Sequence, residues 1–408
     1  MGVDDLLRQF HLNQMVWISR LATGTTQSLA HPRLFASGEV VAMRPGRSGV
    51  IMFPVDGSAG DISNDHDISL AWLRQHRISD VLVWSMRPNP DIDLAMLAQG
   101  YQVSFEPWWM TRDLTEPIAE PSYHITIATS ADTLDLLKSD VPYIVRDQGE
   151  STARLIQEPS GEVQMLIARA EGEVVGQAIV NITGNHAGLF NVGVSGRYRH
   201  RGIGTSLSLA AMALARDHGV TTMNLNSTGM GKPIYERAGF TQFGVGQTWL
   251  RNGPGVQRDP LSAEREIAMA LGTGNLASLN GQALPAMLFN GMSSQELAAR
   301  FGRQDSLYHL IEAGQVPEIM SLWQAGLREE AMAAAANPQA RELISGTRRA
   351  RPIHLAVERG AGSLVLALIE AGADLTARDG EYRATPLDWA HATNKPTIAR
   401  IIQRAGGK

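Results

Sequence analysis

The stretch RYRHRGIGTS, residues 197–206, concentrates the residue types that bind an anion: three arginines, a histidine and two glycines directly after the apolar run LFNVGV. The pattern predicts a strand that ends before this stretch and a helix that begins inside it. The free N–H groups and the positive dipole of a first helical turn form an anion site. Gly202 and Gly204 let the backbone approach the anion, and Arg199 and Arg201 add fork-shaped donors. The stretch therefore predicts a phosphate cradle.

Alternating and apolar runs around this cradle predict a mixed α/β segment over residues 122–250. The run VQMLIARAEGEVVGQAIVNITGNHAGLFNVGV is typical of three strands joined by tight turns. A helix is predicted from Gly202 to Asp217, a short strand over TTMNLNS and a short helix over KPIYERAG that Gly239 closes. One final strand is predicted over FTQFGVGQTWL.

The cradle resembles a known motif. Residues 199–204, RHRGIG, are similar to the R/Q-x-x-G-x-G/A signature of the GNAT superfamily of acetyl-CoA-dependent N-acetyltransferases. Val194 stands where the family's V-x-P-x-x-R places its valine, although Gly196 replaces the proline. Farther on, YERAGF resembles the family's Y-x-x-x-G-F element. The resemblance covers about 130 residues and implies a GNAT fold with acetyl-CoA as co-substrate.

The resemblance also implies roles for individual residues. The backbone N–H groups of residues 201–205 would hold the CoA pyrophosphate, and the backbone of residues 192–194 would pair with the pantetheine arm like an added strand. Tyr235 would protonate the leaving thiolate, or it is a core aromatic residue of a short helix. The implied CoA-binding set is Val192, Gly193, Val194, Arg199, His200, Arg201, Gly202, Ile203, Gly204, Thr205, Asn226 and Ser227. No metal ligand is implied.

One departure from the family concerns the general base. Many members carry a glutamate on the strand before the phosphate loop, and GLFNVGV contains none. His186 and Glu150 are the candidates, although His186 is better explained as a surface turn residue and Glu150 as a solvated loop charge. The amine would otherwise lose its proton directly to water.

Residues 1–118 predict a degenerate GNAT-like module that no longer binds CoA. The runs EVVAMRP, SGVIMFPV, DVLVWSM and SFEPWWMTRDL are typical of strands, and a helix is predicted over residues 68–76. Gly100-Tyr101 matches Gly239-Phe240, with Met96 at the position of Tyr235. An unrelated α/β domain remains the alternative. At most one of the adjacent residues in Trp108-Trp109 can face an acceptor cleft, since strand neighbours point to opposite faces.

Residues 251–302 predict a linker and helical connection, and residues 303–408 predict an all-α solenoid. Three segments align on His309, His354 and Asp388 and end on glycines. The best matches to ankyrin repeats, which they resemble, are Pro352-Ile353-His354-Leu355-Ala356 and Thr385-Pro386-Leu387. The histidines are predicted to bond backbone between repeats. Such repeats would bind a protein partner, form homodimers or pack against the enzyme.

Composition excludes other classes. The 408 residues include no cysteine and carry a net charge of −5, which excludes disulfides and thiolate metal sites and argues against a nucleic-acid partner. The acidic N-terminus and the absence of a long apolar run predict a soluble cytoplasmic protein with no membrane partner.

Three functions remain open at this stage. The first is acetyl transfer to a small-molecule amine such as an antibiotic, polyamine or amino-acid-like metabolite, with antibiotic resistance as one setting. The others are a protein acetyltransferase that recruits its acceptor through the repeats, and an acetyl-CoA-sensing interaction protein.

Overall fold

The computed structural model describes residues 2–23, 33–35, 38–42, 48–53, 75, 80–142, 152–158, 160–228, 231–251, 260–279, 281–345, 349–380 and 383–407. The chain divides into two compact units. The first comprises Met1–Asp93 and Val103–Arg258, and the second comprises Leu94–Gln102 and Asp259–Lys408. None of the described helices has the length and apolarity needed to cross a membrane.

The first unit contains a six-stranded sheet with the order β1-β2-β3-β4-β13-β5. β3 and β4 are parallel, and β13 is antiparallel to β4. β2, β3 and β4 confirm three of the four runs predicted as strands in the first segment, and the helix predicted over residues 68–76 lies, except for Gln75, outside the described residues. The strands are β1 Arg33–Phe35, β2 Gly38–Ala42, β3 Ser48–Met52, β4 Asp80–Ser85, β5 Gln102–Val103 and β13 Gln247–Arg251.

A seven-stranded sheet follows the order β12-β6-β11-β10-β9-β8-β7. β8, β9 and β10 are the three strands expected from one continuous run, and β10 pairs with β11 in parallel. The strands are β6 Trp108–Asp113, β7 Ile125–Ile127, β8 Val163–Ala170, β9 Glu173–Thr183, β10 His186–Val194, β11 Thr222–Ser227 and β12 Thr241–Val245.

Two strands belong to a different sheet from the one that their position in the sequence predicts. β6 comes from residues 1–118 but pairs with β11 and β12, whereas β13 comes from residues 122–250 but pairs with β4. The prediction of a single final strand over FTQFGVGQTWL is therefore wrong, because the strand is interrupted at Gly246 and the two halves join different sheets. A Cβ at Gly246 would lie 1.9 Å from a ring carbon of Trp109, so only glycine fits at this crossing. The predicted boundary between the two segments does not separate the sheets.

Among the helices described in full, α1, α3, α4 and α5 belong to the first unit, and α2 continues from it into the second unit. α4 buries Ile203, Leu207 and Met212 against one face of the seven-stranded sheet, as the spacing of its apolar residues predicts. A short 3-10 turn precedes α3, and the carboxylate of Asp132 accepts hydrogen bonds from the Thr129 backbone N–H (2.8 Å) and hydroxyl (2.9 Å). The helices are α1 Val3–Thr23, α2 Pro90–Ala98, α3 Thr133–Lys138, α4 Ile203–Asp217 and α5 Lys232–Arg237.

Helix α1 was not anticipated from the sequence. Its Leu7 and Phe10 belong to a core with Trp84 of β4, while Trp17 belongs to a second core with Phe190 of β10. The helix therefore buries residues against both sheets, and it covers the face of the seven-stranded sheet opposite to α4.

Residues 94–102, which the sequence placed in the first segment, belong to the second unit. The Asn290 side-chain amide donates to the Tyr101 carbonyl over 2.9 Å, and a Cβ at Gly100 would lie 2.7 Å from the ring of Phe289. These contacts bind the end of α2 to the chain that follows the sheets. The predicted 251–302 linker contains helical turns, and its residues 252–259 lie outside the described residues.

The second unit is helical beyond this segment. The predicted closing glycines Gly326, Gly372 and Gly406 all have positive φ, of 86°, 86° and 91°, after helices. His354 is buried, and its Nε2 lies 3.1 Å from the Ala377 carbonyl oxygen, as predicted for a structural histidine. The helices are α6 Ser262–Thr273, α7 Ser294–Arg300, α8 Gln304–Glu312, α9 Ile319–Gln324, α10 Arg328–Ala334, α11 Pro338–Arg341, α12 Pro352–Glu358, α13 Gly362–Glu370, α14 Pro386–Ala392 and α15 Pro396–Arg404.

Candidate active site

The phosphate turn, residues 195–205, connects β10 to α4. A 3-10 turn covers Gly196–Tyr198, and α4 begins at Ile203. Between them, His200 and Gly202 have positive φ of 62° and 79°. Glycine adopts this conformation without strain, which explains its presence at the residue before the helix.

The first turn of α4 presents backbone donors. The first hydrogen bond of the helix runs from the Ser206 N–H to the Gly202 carbonyl over 2.9 Å. The N–H groups of Ile203, Gly204 and Thr205 precede it and have no acceptor within the helix. Gly202 has no side chain that could cap them. This end of the helix therefore keeps the donors that an anion requires.

Neighbouring side chains hold this turn in place. The Ser206 hydroxyl accepts a hydrogen bond from the Tyr123 backbone N–H over 3.1 Å. A Cβ at Gly204 would lie 3.7 Å from Ile234 of α5 and 3.8 Å from Val194 of β10, which is ordinary contact. β10, α4 and α5 consequently meet at Gly204.

The charged side chains of the turn extend into solvent. Arg199, His200 and Arg201 are exposed, and the Arg201 guanidinium lies 5.0 Å from the centroid of the Tyr198 ring. Exposed charges are screened by water and salt. We therefore expect these arginines to attract a phosphate and the backbone N–H groups to fix it.

A gap opens beside the turn, between β10 and β11. Their parallel pairing covers only His186↔Thr222, Ala187↔Met223 and Gly188↔Asn224. β10 continues to Val194 and β11 to Ser227, but no described residue beyond Gly188 pairs across the gap. The β10 backbone from Leu189 onward thus presents an open edge on which an extended ligand could pair as an added strand.

A β-bulge accompanies the gap. The register of β10 against β9 shifts between Phe190 and Gly193, and Asn191 has a φ of 50°. A bulge bends its strand away from a neighbour. A Cβ at Gly193 would lie 2.6 Å from the carbonyl oxygen of Pro142, so the strand after the bulge passes too close to that backbone for any side chain. Val192 and Val194 pack towards α4.

The residues expected on the far side of the gap occupy different environments. Asn226 is half-buried on β11, whereas Ser227 is buried and its hydroxyl donates to the Thr228 carbonyl over 2.9 Å. Tyr235 is half-buried on α5, edge-on to Phe240 with ring centroids 6.0 Å apart. Ser227 therefore bonds its own loop, while Asn226 and Tyr235 lie on the two elements that border the gap.

Of the two candidate bases, the structure describes His186, which lies away from this gap. His186 begins β10, and at about 3.3 Å per residue it lies roughly 20 Å from Val192. Burial lowers the pKa of His186, so its imidazole is neutral at physiological pH. Glu150 lies outside the described residues. Within the described ranges, no three histidine, aspartate or glutamate side chains are grouped to hold a metal ion.

Trp17, near the gap, was not anticipated as part of the site, and Trp108 and Trp109 occupy different environments. Trp17 of α1 stacks on Phe190 with ring centroids 5.3 Å apart, at the residue where the bulge begins. Trp109 is buried in the core, whereas Trp108 is half-buried with the Lys232 ammonium 5.5 Å from its ring centroid. The periodic apolar residues of α1 could have predicted a helix that contains Trp17. The same periodicity does not indicate which strand that helix packs against.

The family comparison agrees with this geometry. Residues 131–240 match the model of the acetyltransferase (GNAT) family, about a quarter of the chain. These residues are a GNAT acetyltransferase domain. The chain is accordingly an acyltransferase enzyme, and enzymes of this fold use acyl-CoA co-substrates. No characterised protein sequence is significantly similar to the chain.

Solved structures are similar to parts of the chain. A GCN5-related N-acetyltransferase from Kribbella flavida is 14% identical, with 64% of this chain and 100% of that chain covered and a TM-score of 0.47. One from Sphaerobacter thermophilus is 18% identical, with 53% and 76% covered and a TM-score of 0.42. A tandem GNAT protein from the clavulanic acid biosynthesis pathway is 14% identical, with 62% and 98% covered and a TM-score of 0.38. These values are too low to carry an argument about activity.

Proposed function

We propose that the GNAT domain transfers the acetyl group of acetyl-CoA to a primary amine of a small molecule in a ternary complex. The observation that carries this proposal is the gap between β10 and β11 beside the phosphate turn. One end offers the free N–H groups of Ile203, Gly204 and Thr205, and the gap itself offers the unpaired edge of β10. A pyrophosphate followed by an extended amide-containing arm matches that sequence of sites.

The reaction follows from this placement. The lone pair of a neutral amine forms a C–N bond with the thioester carbonyl carbon, and the C–S bond breaks. CoA leaves with the electron pair as a thiolate, which takes a proton from the Tyr235 hydroxyl. The attacking nitrogen releases its extra proton to water, and solvent reprotonates Tyr235. Holding both reactants in one site supplies much of the rate, and N–H groups of the bulge stabilise the oxyanion.

The acceptor class is a compact amine such as an antibiotic, polyamine or amino-acid-like metabolite. Packing of α1 over β10 at Trp17 and Phe190 supports this class, since it covers the face from which an acceptor would approach. A folded protein surface would need an open groove. Self-protection or resistance is one setting for such an activity.

The remaining parts of the chain have supporting roles in this proposal. The six-stranded sheet has the same β-hairpin and parallel pair as the other sheet, which supports a tandem GNAT arrangement with a degenerate first module. The paired helices and the glycines that close them support ankyrin repeats in the tail, which would bind a protein partner or a second copy.

The test is release of free CoA thiol from acetyl-CoA with a panel of aminoglycosides, polyamines, amino acids, amine-bearing antibiotics and histone-like peptides. The enzyme has no cysteine, so the thiol background is low. Turnover with a small amine, lost when Gly202 and Gly204 are replaced by bulky residues, would establish the proposal. Turnover only with peptides would favour a protein acetyltransferase. Tight acetyl-CoA binding with no acceptor would favour a sensor.

A further inference from the structure

Four strands of the seven-stranded sheet align a row of four residues, three of them polar, beneath α1. Asn181 of β9 is opposite Gly188 of β10, which is opposite Asn224 of β11, which is opposite Thr111 of β6. Residues directly opposite one another project on the same face of a sheet. Met223 and Leu225 belong to the core on the α4 side, so Asn224 between them projects towards α1. These four positions are called the amide row.

In one half of the amide row, Asn181 and Gly188, residues of α1 bond or cover the sheet. The side-chain amide of Asn13 donates to the Asn181 carbonyl over 3.2 Å, and Arg20 donates to the Asn181 side-chain oxygen over 2.5 Å. Asn13 also covers Gly188, where a Cβ would lie 2.1 Å from the Asn13 side-chain oxygen. This half therefore has a structural role.

The other half has no partners. Asn224 is 1% exposed, and in the described part of the chain neither its Oδ1 nor the buried Thr111 Oγ1 has a hydrogen-bond partner. The buried Oε1 of Gln14 on α1, one helical turn after Phe10, is also without a partner there. Buried polar groups are normally paired, because an unmade hydrogen bond costs free energy. Two adjacent unpaired groups beside a gap indicate a ligand.

The unsaturated half borders the place where the thioester would lie. The pairing of β10 with β11 ends at Gly188↔Asn224, and the gap opens with Phe190 and Asn226, two residues farther along. At about 3.3 Å per residue, Asn224 stands roughly 7 Å from the open part of the gap on the α1 face. A nitrogen bound there would approach a thioester in the gap from the α1 side.

Aromatic pairs flank this approach. Trp17 of α1 stacks on Phe190 with ring centroids 5.3 Å apart on one side, and Phe10 of α1 lies tilted against Trp109 with ring centroids 4.8 Å apart on the other. Both pairs are apolar, so an amine that passes between them needs an apolar stem, and a second charged group would lose its hydration there.

We propose that Asn224 and Thr111 form the acceptor subsite and bind the nitrogen of an aliphatic primary amine. This inference rests on the proposed function and assigns its acceptor. The Asn224 oxygen accepts one N–H of the amine, and the Thr111 hydroxyl makes the second contact. Both groups are uncharged, so the subsite does not favour an ammonium ion, and the lone pair of the free amine stays available to attack the thioester carbon.

The test uses ethylamine, butylamine and hexylamine as probes with the full-length enzyme. Asn224→Leu and Thr111→Val each remove one hydrogen bond while keeping the size of the side chain. We expect KM for the amine to rise about tenfold in each variant, the effect of one hydrogen bond. The Kd for acetyl-CoA stays unchanged. Thr126→Val, an exposed change on edge strand β7 of the same sheet, is the matched control and keeps both values.

The melting temperature separates binding from a structural role. Since the Asn224 Oδ1 and the Thr111 Oγ1 have no hydrogen-bond partner in the described part of the chain, their apolar variants keep or raise the melting temperature while they lose the amine. Variants that melt earlier and keep the wild-type KM would overturn the inference, as would a wild-type enzyme that acetylates other acceptors but none of the three probes. Failure to bind acetyl-CoA at all would overturn the proposed function itself, and with it this subsite.

Discussion

The N–H group of Gly204 is the contact whose role can be isolated by substitution. Gly204→Pro deletes this donor, and Gly204→Ala keeps it while adding the same Cβ. A Cβ here meets Ile234 at 3.7 Å and Val194 at 3.8 Å, so the Cβ that both variants share fits the fold. Gly204 lies in the first turn of α4, where its N–H has no acceptor within the helix. Proline therefore removes no hydrogen bond of the helix itself.

The expected magnitude follows from the type of bond that is lost. A hydrogen bond to a charged group is worth about 1.5–3 kcal/mol. Its loss raises Kd roughly tenfold to a hundredfold, at about 1.4 kcal/mol for each factor of ten. For Gly204→Ala we expect a Kd close to that of the wild type. Alanine is also the better helix former, by about 1 kcal/mol at most, so its melting temperature should not fall.

Calorimetric titration with acetyl-CoA and a thermal melt of each variant provide the test. Equal Kd values for Gly204→Pro and Gly204→Ala would refute the assignment of the N–H groups to the pyrophosphate. An alanine variant as weak as the proline variant would show that the glycine provides space for the ligand, and that the donor is not what matters. A low melting temperature in the proline variant alone would indicate that the turn itself had changed.

Three further predictions concern catalysis and stability. Tyr235→Phe should lower kcat about a hundredfold without changing the Kd for acetyl-CoA, as expected on loss of a general acid; an unchanged kcat in a thiol-release assay would contradict that role. Gly246→Ala should cost about 1–3 kcal/mol in urea unfolding through overlap with Trp109, whereas Gly362→Ala, whose Cβ meets nothing within 4 Å, should cost none. Burial lowers the pKa of His11 from 6.5 to about 4, so the unfolded chain takes up the proton first and stability falls as pH drops through this range. His11→Leu should remove about 3 kcal/mol of that loss. If the unfolding free energies of the wild type and of His11→Leu fall by the same amount between pH 7 and pH 4, the prediction is contradicted.

Local patterns in the sequence predicted the parts of the site that local forces determine. The phosphate turn follows from glycines that must adopt positive φ and from a helix that begins directly after a strand. β8, β9 and β10 follow from alternation and tight turns, and α4 follows from its apolar spacing. Tyr235 and Asn226 were assigned roles by the resemblance to the GNAT family, and the structure places them on α5 and β11.

Long-range contacts determine what could not be predicted. The exchange of β6 and β13 depends on Gly246 passing over the Trp109 ring, a contact between residues far apart in sequence. The position of α1 depends on Phe10 and Trp17 meeting different cores. A sheet run such as FTQFGVGQTWL has the same alternation whether its halves join one sheet or two, so its pattern alone cannot place the break.

The two sheets differ at the parallel strand pair where CoA would bind, and this difference predicts the number of acetyl-CoA molecules bound per chain. In the six-stranded sheet the parallel pair β3 and β4 stays in register from Ser48↔Asp80 to Met52↔Trp84, and the Phe53 N–H continues to the Trp84 carbonyl at 2.9 Å. In the seven-stranded sheet the corresponding pairing ends at Gly188. An extended pantetheine arm would pair with a free strand edge, and among the described residues β10 offers one beside the phosphate turn. Calorimetry should therefore give one acetyl-CoA per chain, and a second site of similar affinity would show that the paired strands separate to bind it.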